Sequence, residues 1–141
     1  NGELDVHKGY MGKFAVTQEE IDAMKPSLDN LSYTSYMVRV AYDESEVEVL
    51  AAVLSCAYSY EVIAKKIVAN RPESVDDPFY GDWIRGYASD EYAAGNVILI
   101  ETLDRLSAHY TEEQLRHLED IFIACSRYEM AFWQMAWEIR L

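Results

Sequence analysis

The sequence is poor in several residue types whose abundance would point to particular classes of protein. Only two cysteines, Cys56 and Cys125, occur in 141 residues. Because they are few and far apart, a disulfide-rich scaffold is excluded, and reduced thiols in a cytoplasmic compartment are expected. The six glycines form no phosphate-cradling loop, and no Gly-x-Ser-x-Gly nucleophile elbow occurs.

The sequence also contains few positively charged residues. Lys and Arg number 12 against 25 Asp and Glu, which gives a formal net charge of −13. Such a surface repels phosphate backbones and anionic lipid headgroups, so neither nucleic acid nor a membrane surface is expected as a partner. The sequence shows no signal peptide, and no apolar run is expected to span a bilayer.

Histidine is scarce as well. The three histidines, His7, His109 and His117, have no ligand-like spacing. The Glu-x-x-His pairs of di-iron bundles are absent, so the sequence predicts neither a metal site nor a metal cofactor.

Helix start signals recur along the chain. A hydroxyl residue followed three positions later by Glu or Gln is typical of a capping box, which satisfies amides at a helix start. The pattern occurs at Thr17–Glu20, Ser45–Glu48 and Thr111–Gln114. Asp77 before Pro78, and separately Ser89, are expected to cap two further helices. The sequence predicts helices over residues 3–12, 18–24, 30–42, 46–69, 78–88, 90–109 and 112–139, with "NRPESVDDP" as the clear loop. No stretch shows strand alternation, so the predicted class is an all-α bundle.

The last predicted helix carries an acid on an otherwise apolar face. Steps of three and four residues give the stripe Leu115, Leu118, Phe122, Cys125, Glu129, Phe132, Ala136 and Ile139. A bundle helix buries such a stripe, so Glu129 is expected in the core. Burial raises the pKa of an unpartnered carboxyl toward the range that a general acid needs near neutral pH. The alternatives are a structural acid with satisfied hydrogen bonds, or a helix rotation that exposes Glu129.

The predicted 46–69 helix repeats this arrangement. Its stripe is Val49, Val53, Cys56, Tyr60, Ile63 and Ile67. Cys56 and Tyr60 are one turn apart, so a thiol and a phenol share a face. Cys56 is either a small core hydrophobe or a reactive thiol. Since Cys125 also lies in a stripe, the spacing leaves open which thiol is reactive.

Four segments stand in a recognisable order: "LSYTSYMVRV", "LAAVLSCAYSYEVIAKKI", "YGDWIRGYAS" and "YEMAFWQMAW". As a set they resemble the TenA family, also called thiaminase II or aminopyrimidine aminohydrolase, over nearly the whole chain. The resemblance implies an all-α, haem-oxygenase-like bundle of long helices. It also implies a hydrolase of thiamine salvage, which cleaves aminopyrimidine or thiamine to hydroxymethylpyrimidine without a cofactor.

The resemblance implies roles for six residues. Cys56 takes the place of the family's catalytic cysteine, which adds covalently to the pyrimidine ring of the substrate. Glu129 takes the place of the acid that bonds a ring nitrogen and shuttles protons. Cys125 matches no catalytic position. The positions that line the substrate pocket are matched by Tyr33, Tyr60, Tyr87 and Phe132.

The resemblance also bears on extent and assembly. The family domain begins several helices earlier, and that earlier part carries an aspartate and a tyrosine that hold the pyrimidine. Residues 1–141 are therefore expected to form a single TenA-like helical domain, equivalent to the C-terminal two-thirds of the family domain. A pyrimidine or thiamine substrate and a homotetramer are implied as partners.

Two other functions remain open from the sequence. The chain could be a non-catalytic helical module that binds thiamine or a partner protein through the same cavity. It could also be an oxygenase-like cofactor bundle, for which His7 is the ligand candidate near the start. Tight thiamine binding without product would indicate the first, and a visible absorption band the second.

Overall fold

The structure is built from helices. The computed structural model describes residues 2–140, with side chains from residue 7 onward. The helices are α1 Gly2–Lys13, α2 Gln18–Ala23, α3 Leu28–Asp43, α4 Glu46–Asn70, α5 Gly81–Ala88, α6 Asp90–Ser107 and α7 Glu112–Glu138, with a 3₁₀ helix at Pro72–Asp76. No strand occurs within residues 2–140. The predicted all-α class is confirmed, and the predicted helix ends agree to within a few residues.

Predicted capping residues lie at the starts of four of the helices. Both hydrogen bonds of a capping box are present at Thr17 before α2, Ser45 before α4 and Thr111 before α7. At α4, the Ser45 amide donates to the Glu48 carboxylate at 3.1 Å. The Ser89 hydroxyl caps α6. These local bonds therefore fix where the long helices start.

The start of α5 corrects the prediction that Asp77 caps a helix beginning at Pro78. Asp77 Oδ1 accepts hydrogen bonds from the amides two and three residues later, at 2.8 and 2.7 Å. Residues 78–80 nevertheless form a turn, and α5 begins at Gly81. A Cβ on Gly81 would lie 2.6 Å from the Val75 carbonyl oxygen. The 3₁₀ helix, which the sequence analysis treats as loop, therefore lies directly against the first turn of α5.

The central helix is α4, which contacts α3, α5, α6, α7 and the 3₁₀ helix. Its buried residues are mostly small: Val47, Glu48, Ala51, Ala52, Leu54, Ser55 and Ala64. Small side chains let neighbouring helices approach closely. The core lies between α3, α4 and α7 and consists of Tyr33, Val40, Val47, Ala51, Ala52, Leu118, Ile121 and Cys125.

The two predicted stripes are only partly buried. In α7 the buried members are Leu118, Cys125 and Glu129. At the two ends of that stripe, Leu115 and Ile139 are exposed. In α4, Val53 and Ile63 are also exposed, because the alanines and serine on the adjoining face make the close helix contacts. The stripe of α7 correctly predicts that Glu129 is buried. The stripe of α4 misplaces the buried face of that helix by part of a turn.

By length and composition alone, α4 could cross a bilayer, contrary to the expectation that no apolar run is long enough. Core helices of soluble proteins meet the same criterion. Here α4 packs against four other helices and buries Glu48, while Lys65 and Lys66 are exposed. We therefore interpret α4 as a core helix.

Candidate active site

Glu129 lies on α7 with 9% of its surface exposed. The hydroxyl of Tyr60, on α4, donates a hydrogen bond to Glu129 Oε2 at 3.3 Å. The structure therefore buries the acid, as the stripe on the last helix predicts, and it places Glu129 at the α4–α7 contact with Tyr60 as its partner. The alternative in which Glu129 points freely into solvent is wrong.

Two tyrosines from different helices flank Glu129. Burial first, and then the charge of Glu129, raise the pKa of Tyr33 well above its ordinary value. The same causes, in the same order, raise the pKa of Tyr60. Both phenols therefore keep their protons at neutral pH and can donate hydrogen bonds toward the carboxylate.

Cys56 lies close to the same two tyrosines. It is half-buried on α4, one turn before Tyr60. Negative charge on its sulfur contributes to the raised pKa of Tyr33 and of Tyr60, as Glu129 does. The structure thus brings the thiol of one long helix and the acid of another to a shared pair of phenols.

Cys125 occupies a different environment. It is completely buried, and burial raises the pKa of its thiol. Because the thiolate is the nucleophilic form of cysteine, a buried and protonated thiol is poorly suited to attack a substrate. Accessibility therefore favours Cys56, the choice that spacing alone leaves open.

An aromatic cluster surrounds Tyr60. The ring centroids nearest to its own are those of Tyr87 at 4.9 Å, Trp83 at 5.8 Å and Trp133 at 6.1 Å. Phe132 meets the cluster through Trp133, with ring centroids 6.1 Å apart. The sequence patterns do not single out the two tryptophans, although each lies in a segment that carries the family resemblance. Their signal is their position beside residues that the resemblance does name.

A groove opens beside Glu129 between α4 and α7, with a volume of about 610 Å³. It is lined by Ser59, Ile63, Ser126, Glu129, Met130, Trp133, Gln134 and Trp137. A second cavity of about 530 Å³, which Tyr60 and Trp83 help to line, shares Ile63, Trp133 and Trp137 with the groove. Trp137 is 84% exposed. The groove is therefore open to solvent in the described part of the chain.

The residues that the structure describes contain no group of three or more His, Cys, Asp or Glu side chains placed to hold a metal ion. His7, the ligand candidate of the oxygenase-like alternative, lines a different cavity of about 240 Å³ together with Tyr10 and Asp82. His7 therefore does not line the groove beside Glu129.

Several known proteins have sequences similar to this one. The sequence profile of the TENA/THI-4/PQQC family matches residues 1–139. An aminopyrimidine aminohydrolase from Helicobacter pylori is 41% identical over 138 residues, which cover 98% of this chain and 63% of the relative. A protein of the same name from Halalkalibacterium halodurans is 40% identical over 141 residues, which cover 100% of this chain and 62% of the relative. This chain therefore spans less than two-thirds of the length of either relative.

The fold is shared with a solved structure. A TenA homologue from P. horikoshii OT3 superposes with a TM-score of 0.81 at 28% sequence identity, covering 98% of this chain and 62% of that one. TenA homologues have an all-α, haem-oxygenase-like fold, so the predicted fold class is confirmed. With the family profile matched from residue 1 to residue 139, the chain belongs to the TENA/THI-4/PQQC family.

Proposed function

We propose that the protein containing this chain is a hydrolase of thiamine salvage. Its substrate is 4-amino-5-aminomethyl-2-methylpyrimidine or thiamine, and its product is hydroxymethylpyrimidine. The names of the relatives that are 41% and 40% identical support this reaction. The observation that carries it is the buried Glu129, hydrogen-bonded by Tyr60 and accompanied by Cys56 next to the same phenol.

In the proposed mechanism, the Glu129 carboxylate takes the proton of the Cys56 thiol, and the resulting thiolate forms a carbon–sulfur bond with the pyrimidine ring. Glu129 donates a proton to a ring nitrogen, which holds the added electron pair, and ammonia then leaves from the methylene carbon. Water adds to that carbon and loses a proton, which offsets the proton that the departing amine takes up to become ammonia. Expulsion of the thiolate restores the aromatic ring, and the proton on the ring nitrogen returns through Glu129 to the thiol, so the net reaction consumes water and releases ammonia. With thiamine as substrate, the thiazole is the leaving group.

The proposed substrate-binding residues are Tyr33, Tyr60, Tyr87 and Phe132. A pyrimidine is flat, with apolar faces and hydrogen-bonding edges, so aromatic side chains suit its faces. The protonated hydroxyls of Tyr33 and Tyr60 orient the Glu129 carboxylate. Tyr87 packs 4.9 Å from Tyr60 and extends the same aromatic surface, to which Phe132 adds through Trp133.

We also propose that the protein is cytoplasmic and homotetrameric, and that residues 1–141 form a single domain. The net charge of −13 favours a protein that remains dissolved. Exposed apolar side chains such as Trp137 and Leu28 provide surface that assembly could bury.

The Cys56→Ala variant tests the reaction and its nucleophile. Hydroxymethylpyrimidine release, followed by chromatography with the full-length natural protein, should fall by about 10³-fold or more, because the covalent step is lost. An unchanged circular-dichroism melting curve should show that the fold survives.

The matched control is Cys125→Ala, which removes the other thiol and should retain turnover. Turnover at the wild-type rate in Cys56→Ala would rule out the covalent mechanism. Tight thiamine binding by the wild-type protein with no product would instead support the non-catalytic module.

A further inference from the structure

Two side chains of α6 converge on one backbone carbonyl of α4. The Tyr92 hydroxyl donates a hydrogen bond to the Ala57 carbonyl oxygen at 3.1 Å, and the Asn96 side-chain amide donates to the same oxygen at 3.2 Å. Tyr92 and Asn96 are one helical turn apart, so they share a face of α6. Ala57 directly follows Cys56 in the chain.

Asn96 is held firmly in this position. Its side-chain amide also donates to Glu61 Oε2 at 2.6 Å, and Lys65 forms an ion pair with the other oxygen of Glu61 at 2.6 Å. Asn96 is 3% exposed, so few other orientations are open to its side chain. Its contacts attach α6 to the turn of α4 that begins at Ala57.

The ring of Tyr92 contacts the aromatic cluster of the candidate site. It packs edge-on against Tyr87, with ring centroids 4.9 Å apart and an interplanar angle of 78°. Tyr87 in turn lies 4.9 Å from Tyr60, whose hydroxyl donates to Glu129. One side chain of α6 therefore contacts both the backbone beside Cys56 and the aromatic cluster beside Glu129.

We infer that Tyr92 and Asn96 are positioning residues that set where Cys56 lies relative to Glu129 and the aromatic cluster. The inference rests on the proposed nucleophilic role of Cys56. Neither residue lines the groove beside Glu129 or the cavity beside Tyr60. Tyr92 does help to line the cavity beside His7, together with Tyr87, but the hydrogen bonds of both residues to the Ala57 carbonyl act through α4. Side-chain contacts with a helix carbonyl can alter the local helix path, and a displacement of reacting groups by about 1 Å can slow a reaction about 10²-fold.

The Tyr92→Phe variant isolates the hydrogen bond, because it removes an oxygen and keeps the ring against Tyr87. In the full-length protein, kcat should fall about tenfold while KM changes by less than about twofold. The rate of Cys56 alkylation by iodoacetamide, measured across a pH series and assigned by peptide mass, should also change. Tyr58→Phe is the matched control, since Tyr58 is an exposed tyrosine of α4, two residues after Cys56, and it should alter neither quantity.

The Asn96→Ala variant removes the second donor and should act in the same direction. A lower melting temperature with unchanged kcat and unchanged Cys56 alkylation in both variants would overturn the inference, because it would show that the contacts only stabilise the fold. Alkylation does not depend on turnover. The readout therefore separates a failure of the positioning role from a failure of the proposed nucleophilic role of Cys56, which would appear as retained turnover in Cys56→Ala.

Discussion

At the scale of the residue, the buried carboxylate of Glu129 is the most informative feature. Removing a charged carboxylate from water is unfavourable unless hydrogen bonds replace those of the solvent. Tyr60 supplies such a bond. The helical period of α7 predicts that Glu129 is buried, but it cannot predict the partner, because Tyr60 is brought close by the packing of a distant helix.

The Glu129→Gln variant tests the proton-carrying role. Glutamine keeps the shape and can still accept a hydrogen bond from Tyr60, but it cannot deliver a proton, so hydroxymethylpyrimidine release should fall by about 10²-fold or more. The melting temperature should stay equal or rise, because an uncharged amide is easier to bury. Turnover is measured together with a thermal melt.

Glu119→Gln provides the matched control on the same helix, since Glu119 is exposed, and it should retain turnover. Full activity in Glu129→Gln would contradict the proposed proton transfer.

At the scale of the element, local signals explain which boundaries can be predicted. Capping boxes involve residues three positions apart, so the starts of α2, α4 and α7 follow from the sequence. The start of α5 does not, because the hydrogen bonds of Asp77 form a turn. A close approach between Gly81 and Val75 then sets the first turn of the helix. That contact depends on packing and leaves no periodic pattern.

The Ser45→Ala variant tests how much the capping box stabilises α4. Ser45 accepts from the Val47 amide at 3.2 Å, and its own amide donates to Glu48. Loss of this cap should lower the free energy of unfolding by about 1 kcal/mol. Urea denaturation measures the change.

Ser35→Ala is the control, because Ser35 is exposed inside α3 and alanine is a stronger helix former, so its stability should be equal or slightly higher. Equal stability of Ser45→Ala and the wild type would show that the box contributes little to α4.

At the scale of the whole molecule, the sequence predicts the all-α class and the family, whereas the shape of the site depends on packing. The four segments quoted for the resemblance contain Cys56, Tyr60 and Glu129, and the structure brings all three together. An apolar stripe shows that a face avoids water, but it carries no information about which element covers it. The sequence therefore does not predict that the groove is open at Trp137. It also does not predict that the buried face of α4 lies beside the apolar stripe.

The most direct test of the central claim, that Cys56 is the nucleophile, is a mass measurement on the full-length protein trapped during turnover of the aminopyrimidine. We predict a mass increase equal to the bound pyrimidine, located on the peptide that contains Cys56. An unmodified Cys56 peptide under conditions where product accumulates, or an adduct on Cys125 instead, would contradict the claim.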